Sequence, residues 1–312
     1  MTRPVTRHRL DAGPGTTNDV YSRDHAPVLT VDPGDELVVD SLDASGHLER
    51  QRTPGELRPR LFAEARGHAL TGPVAVRGAR PGQMLGVTFV DLRPGEWGWT
   101  VAGGRETPVT TRLGLADVPP AWLLWEIDAD AGVATESRGL AVPTAPFLGV
   151  TGVAPAEPGE HSTTPPRTTA GGNVDCRELV AGSTLWLPVQ VDGALLYLGD
   201  GHAAQGDGEV GGTAIECPMT TEVRIELVDE RPLPSVHAET PAGRITFGFD
   251  ADLDVATGDA LDAMVTWLAA LLDVDRATAL AFASAVVDLR VTQVANQTWG
   301  VHALLPTGAL GL

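Results

Sequence analysis

LLYLGDGHAAQGDGEVGGTAIE, residues Leu195–Glu216, opens on an apolar strand and closes on the start of another. Between the two lies a glycine-rich run carrying Asp200, His202, Gln205, Asp207 and Glu209. Strand, loop and strand within 22 residues is β grammar, because no helical period of apolar residues fits the stretch. A loop whose only task is to turn needs glycine, not three acids, a histidine and an amide.

The same grammar recurs on either side. Leu185–Val191, Asp192-Gly193 and Ala194–Leu198 form a strand–turn–strand unit leading into the loop. Val28–Val31, Asp32-Pro33-Gly34-Asp35 and Glu36–Asp40 form another, with proline and glycine supplying the backbone angles of a tight turn. A third runs from Pro73–Val76 through Gly78–Gly82 into an alternating strand, Met84–Leu92. Residues 1–25 read as an edge strand or arm. Val223–Val228 and Arg244–Phe249 add further strands. Residues 93–170 read as irregular, rich in Gly, Pro and Thr, and hold Trp97, Trp99, Trp122 and Trp125. These tryptophans either pin a long loop to the sheet or wall a pocket.

Near the C-terminus the period changes. Leu261, Met264, Val265, Leu268, Leu271 and Leu272 mark an amphipathic helix over Asp259–Leu272. Asp275 caps a second helix running to Val287, and Leu289–Val294 with Val301–Pro306 close the chain as paired strands. The expected class is α+β, predominantly β, a sandwich or barrel-like core with a C-terminal helical hairpin. Two lobes are expected, 1–165 with the tryptophan region and 166–312 with the dense loop and the hairpin, forming one compact unit.

Composition removes several functions. A net charge of −19 argues against nucleic acid or an anionic membrane surface as partner. No apolar run is read as approaching the roughly 18 residues of a membrane span, and no apolar segment follows the charged N-terminus, so the expected location is cytoplasmic. All 22 basic residues are arginine. Without lysine, a Ser-Ser-Lys or Glu-Lys-Cys amidase relay cannot operate, and no Schiff base can form. Cys176 and Cys217 lack zinc-finger spacing and read as reduced packing residues.

Asp200 and His202 share strand parity, so both project from one face and offer carboxylate oxygen and imidazole nitrogen to zinc or a similar ion. Asp207 and Glu209 repeat that spacing, and the glycines let the chain double back to bring the two pairs together. Crowded carboxylates call for a cation or a shared proton. A bound metal would polarise an amide carbonyl and lower the pKa of water to roughly 7, with a neighbouring carboxylate as general base. Asn173 and Asp175 face one way at the end of a short strand, and Cys176 faces the other. Glu216, in an apolar strand, either meets an arginine or joins the site. His25 reaches toward the same cleft or is structural, and Gln293 and Asn296 are read as turn caps. Residue chemistry leaves open a calcium-stiffened β-domain that binds a ligand without catalysis, and an amidase using paired carboxylates alone.

Gly171–Asp175 and, far more specifically, Gly199–Glu209 resemble the acetamidase/formamidase family. Pro27–Asp35, Gly72–Gly82, Thr213–Glu216 and Asp288–Asn296 extend the resemblance over nearly the whole chain. It implies hydrolysis of short aliphatic linear amides, such as formamide or acetamide, to carboxylate and ammonia. It also implies a β-rich fold with a small α/β portion, a homodimer or higher homo-oligomer, and a divalent metal, zinc first and calcium second. Carried over residue by residue, the resemblance points to Asp175, Asp200, His202 and Glu209. Together with the residue chemistry, Asp175, Asp200 and His202 are read as metal ligands and Glu209 as general base, with Asp207 and His202 in the catalytic set. Residues 93–125 match no family motif, which leaves cyclic amides or imides open as substrates.

Overall fold

The computed structural model describes residues 4–311. Two large sheets dominate it. The first runs, edge to edge, Arg7–Leu10, Glu36–Ser41, Met219–Val228, Met84–Pro94, Thr184–Pro188, His237–Thr240, Gly243–Asp250, Trp299–Pro306 and Asp288–Gln293. The second runs Ala141–Pro143, Val133–Glu136, Ala121–Asp128, Trp97–Ala102, Glu216–Cys217, Leu196–His202, Phe147–Val153 and Gly171–Asn173, with Leu70–Val76 branching from Leu196–His202. Leu37, Val39, Val87 and Phe89 of the first sheet bury against the same core as Val74, Leu148, Leu196 and Leu198 of the second. Each such side chain contributes roughly 1.5–3 kcal/mol on burial, so this shared layer holds the sheets together as a sandwich. The α+β class with dominant sheet is as expected.

The recurrent strand–turn–strand units are arches between the sheets and not hairpins within one. Leu29–Val31 pairs with Leu70–Val76 in the second sheet, whereas Glu36–Ser41 lies in the first. The linking Asp-Pro-Gly-Asp turn is held by Asp35, whose carboxylate accepts from the Asp32 amide at 3.0 Å. Leu70–Val76 to Met84–Pro94, and Thr184–Pro188 to Leu196–His202, cross in the same manner. Both sheets hold strands from either side of residue 165, and one buried core draws on both.

Three expectations need correction. Residues 93–170 are not irregular: Trp97–Ala102 pairs antiparallel with Ala121–Asp128, placing Val101 opposite Trp122 and Gly98 opposite Trp125. Short strands interrupted by Gly, Pro and Thr hide their period of two. The first helix spans Leu253–Leu272, beginning six residues earlier than read, because Asp252 caps it by accepting from the Asp254 and Val255 amides. That helix also has the length and composition of a membrane span, with mean hydropathy 1.4. It packs on Gly243–Asp250 and Trp299–Pro306, burying Ala256, Ala260, Met264, Val265 and Leu268 against the outer face of the first sheet. Gly248 makes the approach possible, since a Cβ there would collide with the Ala256 main chain. The second helix, Arg276–Val286, starts at its Asp275 cap as expected.

Candidate active site

Strand Leu196–His202 ends in the middle of the second sheet, with His202 opposite Phe147 on one side and Glu216 on the other. The imidazole is buried and meets the Phe147 ring edge-on, centroids 5.0 Å apart. Its Nε2 lies 3.2 Å from Glu216 Oε2 and 3.5 Å from Asp200 Oδ1. Its Nδ1 lies 2.9 Å from Gln205 Oε1, and Gln205 Nε2 donates to the Asp175 main-chain carbonyl at 2.7 Å. The amide group of Gln205 is committed to that carbonyl, so its oxygen faces the ring and requires N–H at Nδ1. Nε2 is left pointing at carboxylates, where a bare lone pair would be repelled. It must carry a second proton or meet a cation.

Asp175, Asp200, Glu209 and Glu216 surround it, all buried. Asp175, Asp200 and Glu209 adopt positive φ of 50°, 61° and 41°. Aspartate tolerates the left-handed region, whereas a glutamate there is held by its surroundings. The hold is visible: the Gly208 amide donates to Thr292 at 3.0 Å and the Val294 amide to Gly208 at 2.8 Å, tying the loop to the C-terminal hairpin. The Gly212 amide then donates to the Glu209 carbonyl at 2.8 Å.

Burial raises Asp175 far above the usual carboxylate range, and the Glu209 and Asp200 charges add to it against the counter-pull of His202. Burial likewise pushes Glu209 up to about 8 and Glu216 up to about 7, although His202 pulls both down. Asp200 is the exception. Burial disfavours its charge, yet His68 and His202 together hold it below the ordinary value. For His202, burial opposes protonation, but the Glu216 and Asp200 charges outweigh it and raise the imidazole well above its usual range.

Both carboxylate oxygens of Asp175, Oδ1 of Asp200 and Oε2 of Glu216 are buried without a hydrogen-bond partner. Such atoms are expensive unless something ligates them. The donor atoms of Asp175, Asp200 and His202 lie within 4.8 Å of one another, as do those of His202, Glu209 and Glu216. Gly149 forms the floor: a Cβ there would stand 2.5 Å from Asp200 Oδ2, 2.6 Å from Asp175 Oδ1 and 2.8 Å from His202 Cε1. Orphaned oxygens, an aimed imidazole nitrogen and a floor of minimum bulk fit a divalent cation.

The cluster lies at the base of a cavity of about 1090 Å³, walled by Trp99, His68, Pro108, Asn173 and Asn296 among others. Trp99 is fixed by its indole N–H donating to Asp43 at 2.5 Å. Asp175, Asp200, His202 and Glu209 are therefore brought together. Asp207 is not: it is exposed, does not line the cavity, and faces Arg290 at 4.0 Å. The Glu216 carboxylate joins the site beside His202 and, among the described residues, forms no ion pair with an arginine. His25 turns away to the Tyr197 hydroxyl at 3.0 Å. Asn296 caps its turn through the Thr298 amide at 2.8 Å while also lining the cavity. Sequence reasoning missed His68, Gln205 as an orienting group, and Gly149. Only Gln205, lying inside the dense loop, gave a signal.

A buried carboxylate–histidine cluster under an open cavity, in a sheet sandwich, defines a candidate hydrolase centre. The acetamidase/formamidase family profile matches residues 9–161 and 156–235, so the chain belongs to that family, hydrolases of non-peptide carbon–nitrogen bonds in linear amides. An acetamidase from Mycolicibacterium smegmatis is 28% identical over 70% of this chain and 67% of its own length. A formamidase from Methylophilus methylotrophus is 24% identical over 73% of this chain and 69% of its own. A solved acetamidase structure from Bacillus halodurans superposes with a TM-score of 0.85 at 28% identity, covering 97% of this chain and 98% of that one.

Proposed function

We propose that the chain hydrolyses short-chain aliphatic linear amides of the formamide and acetamide type to carboxylate and ammonia. The observation that carries this reading is the set of buried, unpartnered Asp175, Asp200 and Glu216 oxygens converging with His202 Nε2 at the base of the cavity. Asp175, Asp200 and His202 would hold the divalent metal. Imidazole nitrogen with carboxylate oxygen favours zinc, with calcium second. The metal would polarise the amide carbonyl and acidify the attacking water.

The chain's own groups do the rest. Glu209 takes the proton from the attacking water as the tetrahedral carbon forms, then returns it to the departing nitrogen so that ammonia leaves. Burial raises the Glu209 carboxyl to about 8 in the metal-free chain, and a cation beside it would lower it toward the ionised form a base needs. Gln205 keeps His202 in the tautomer that presents Nε2 to the cation. Trp99 and Pro108 line the cavity above the cluster. Assembly as a homo-oligomer and a cytoplasmic location belong to the same reading.

Ammonia release from formamide, acetamide, propionamide and one cyclic amide, with purified protein, tests it. Turnover of the linear set supports the reading. Turnover of the cyclic amide alone would move the substrate class, and no ammonia from any of them would refute it.

A further inference from the structure

A second cluster of ligand-type side chains lies beyond Asp175, outside the cavity. Cys176, Glu178 and His302 place one sulfur, one carboxylate oxygen and one imidazole nitrogen within 4.8 Å of one another. We propose that these three residues form a second, structural zinc site. It ties the turn that carries Asp175 to the C-terminal strand Trp299–Pro306.

The spacing is that of donors around one ion. With ordinary zinc bond lengths and tetrahedral angles, sulfur and oxygen stand about 3.6 Å apart and nitrogen and oxygen about 3.4 Å. Cys176 Sγ lies 3.3 Å from Glu178 Oε2, and His302 Nε2 lies 3.6 Å from the same oxygen. One carboxylate oxygen thus stands between sulfur and nitrogen, at a separation too long for a good N–H···O bond.

The imidazole supplies the independent observation. His302 is fully buried, and its Nε2 has no hydrogen-bond partner while aimed at this cluster. Its Nδ1 lies 2.8 Å from Thr292 Oγ1, and a metal at Nε2 requires that contact to run from Nδ1–H to the hydroxyl. The carboxylate is oriented in a matching way: Arg290 donates to Glu178 Oε1 at 3.0 Å, and Oε2 accepts from the Cys176 thiol, whose proton the ion would replace. A ligating histidine whose second nitrogen is engaged, beside a ligating carboxylate whose second oxygen is engaged, is the usual supporting arrangement around a bound zinc. On binding, the S–H bond of Cys176 breaks and its proton goes to solvent, leaving thiolate as the third ligand.

The position gives the site a role distinct from amide hydrolysis. Cys176 follows Asp175 directly, and Thr292 accepts the Gly208 amide that holds the loop of Glu209. The ion would clamp both loops of the catalytic cluster from behind.

The test reads the thiolate, which the Asp175–Asp200–His202 set lacks. Metal-free full-length protein is titrated with cobalt(II), and the thiolate-to-cobalt charge-transfer absorption in the near ultraviolet is followed. Wild type should develop that absorption, Cys217→Ser should keep it, and Cys176→Ser should lose it while still binding cobalt elsewhere. His302→Gln should weaken zinc binding at this site by about tenfold or more. Cobalt binding by wild type without the absorption would overturn the proposal. So would an absorption that survives Cys176→Ser. Neither outcome bears on amide turnover, so failure here is distinct from failure of the hydrolase reading.

Discussion

Gln205 and His202 are locked together by a 2.9 Å contact between Oε1 and Nδ1, and the same Gln205 reaches back to the Asp175 carbonyl at 2.7 Å. One side chain thereby sets the tautomer of the imidazole and the position of a neighbouring carboxylate. Gln205→Leu keeps much of the bulk and removes both contacts. Metal affinity should fall by about 10–100-fold, the usual cost of losing such a support. Isothermal titration of stripped protein with zinc checks this, and unchanged affinity would mean the contact does not orient the ring.

Glu209 and Asp207 separate the proton carrier from its neighbour. Glu209→Gln should lower kcat by about 10²–10⁴-fold with bound metal retained, because it removes only the proton transfer. Asp207→Asn should change kcat by less than about threefold, since an exposed pair such as Asp207 with Arg290 is worth roughly 0–1 kcal/mol. Comparable losses in the two variants would contradict the assignment.

Gly149 tests the floor. Gly149→Ala puts a methyl group against Asp175 and Asp200 while leaving the strand's backbone in place. Displacing these carboxylates by about 1 Å should reduce kcat/KM by about 10²-fold. Circular dichroism should show a retained fold. Wild-type turnover in this variant would show that the cluster is not crowded by function.

His237 predicts an acid limb in stability. It is fully buried between Trp186 and Trp267, and burial, with the Arg231 charge, lowers it to about 4. The unfolded chain takes up the proton near pH 6.5 and the folded one does not. Stability is therefore present above about pH 6.5 and lost as pH falls toward 4. The contribution is on the order of 3 kcal/mol. Between pH 7 and 4.5, His237→Gln should lose less Tm than wild type does. Equal losses would remove His237 as a cause.

Long apolar strands such as Met84–Pro94 and the helix that Asp275 caps were legible, because those signals are local. The arches were not legible. Asp32–Asp35 looks the same whether its flanking strands pair with each other or, as here, with Leu70–Val76 and Met219–Val228, since pairing is decided by the core between sheets. The site shows the same divide. Asp200 and His202 followed strand parity well enough to meet. Asp207 and Glu209 did not, because Gly208 at φ 94° and Glu209 at φ 41° turn the chain between them, sending one carboxylate out and the other in. His68 comes from a distant loop and was invisible without the fold.

Metal dependence bears most directly on the whole account. Protein stripped by chelator should release no ammonia from acetamide while keeping its fold, and restoring zinc or another divalent ion at one or more equivalents per chain should restore turnover. Full acetamide turnover by folded protein shown by elemental analysis to carry no metal would contradict it.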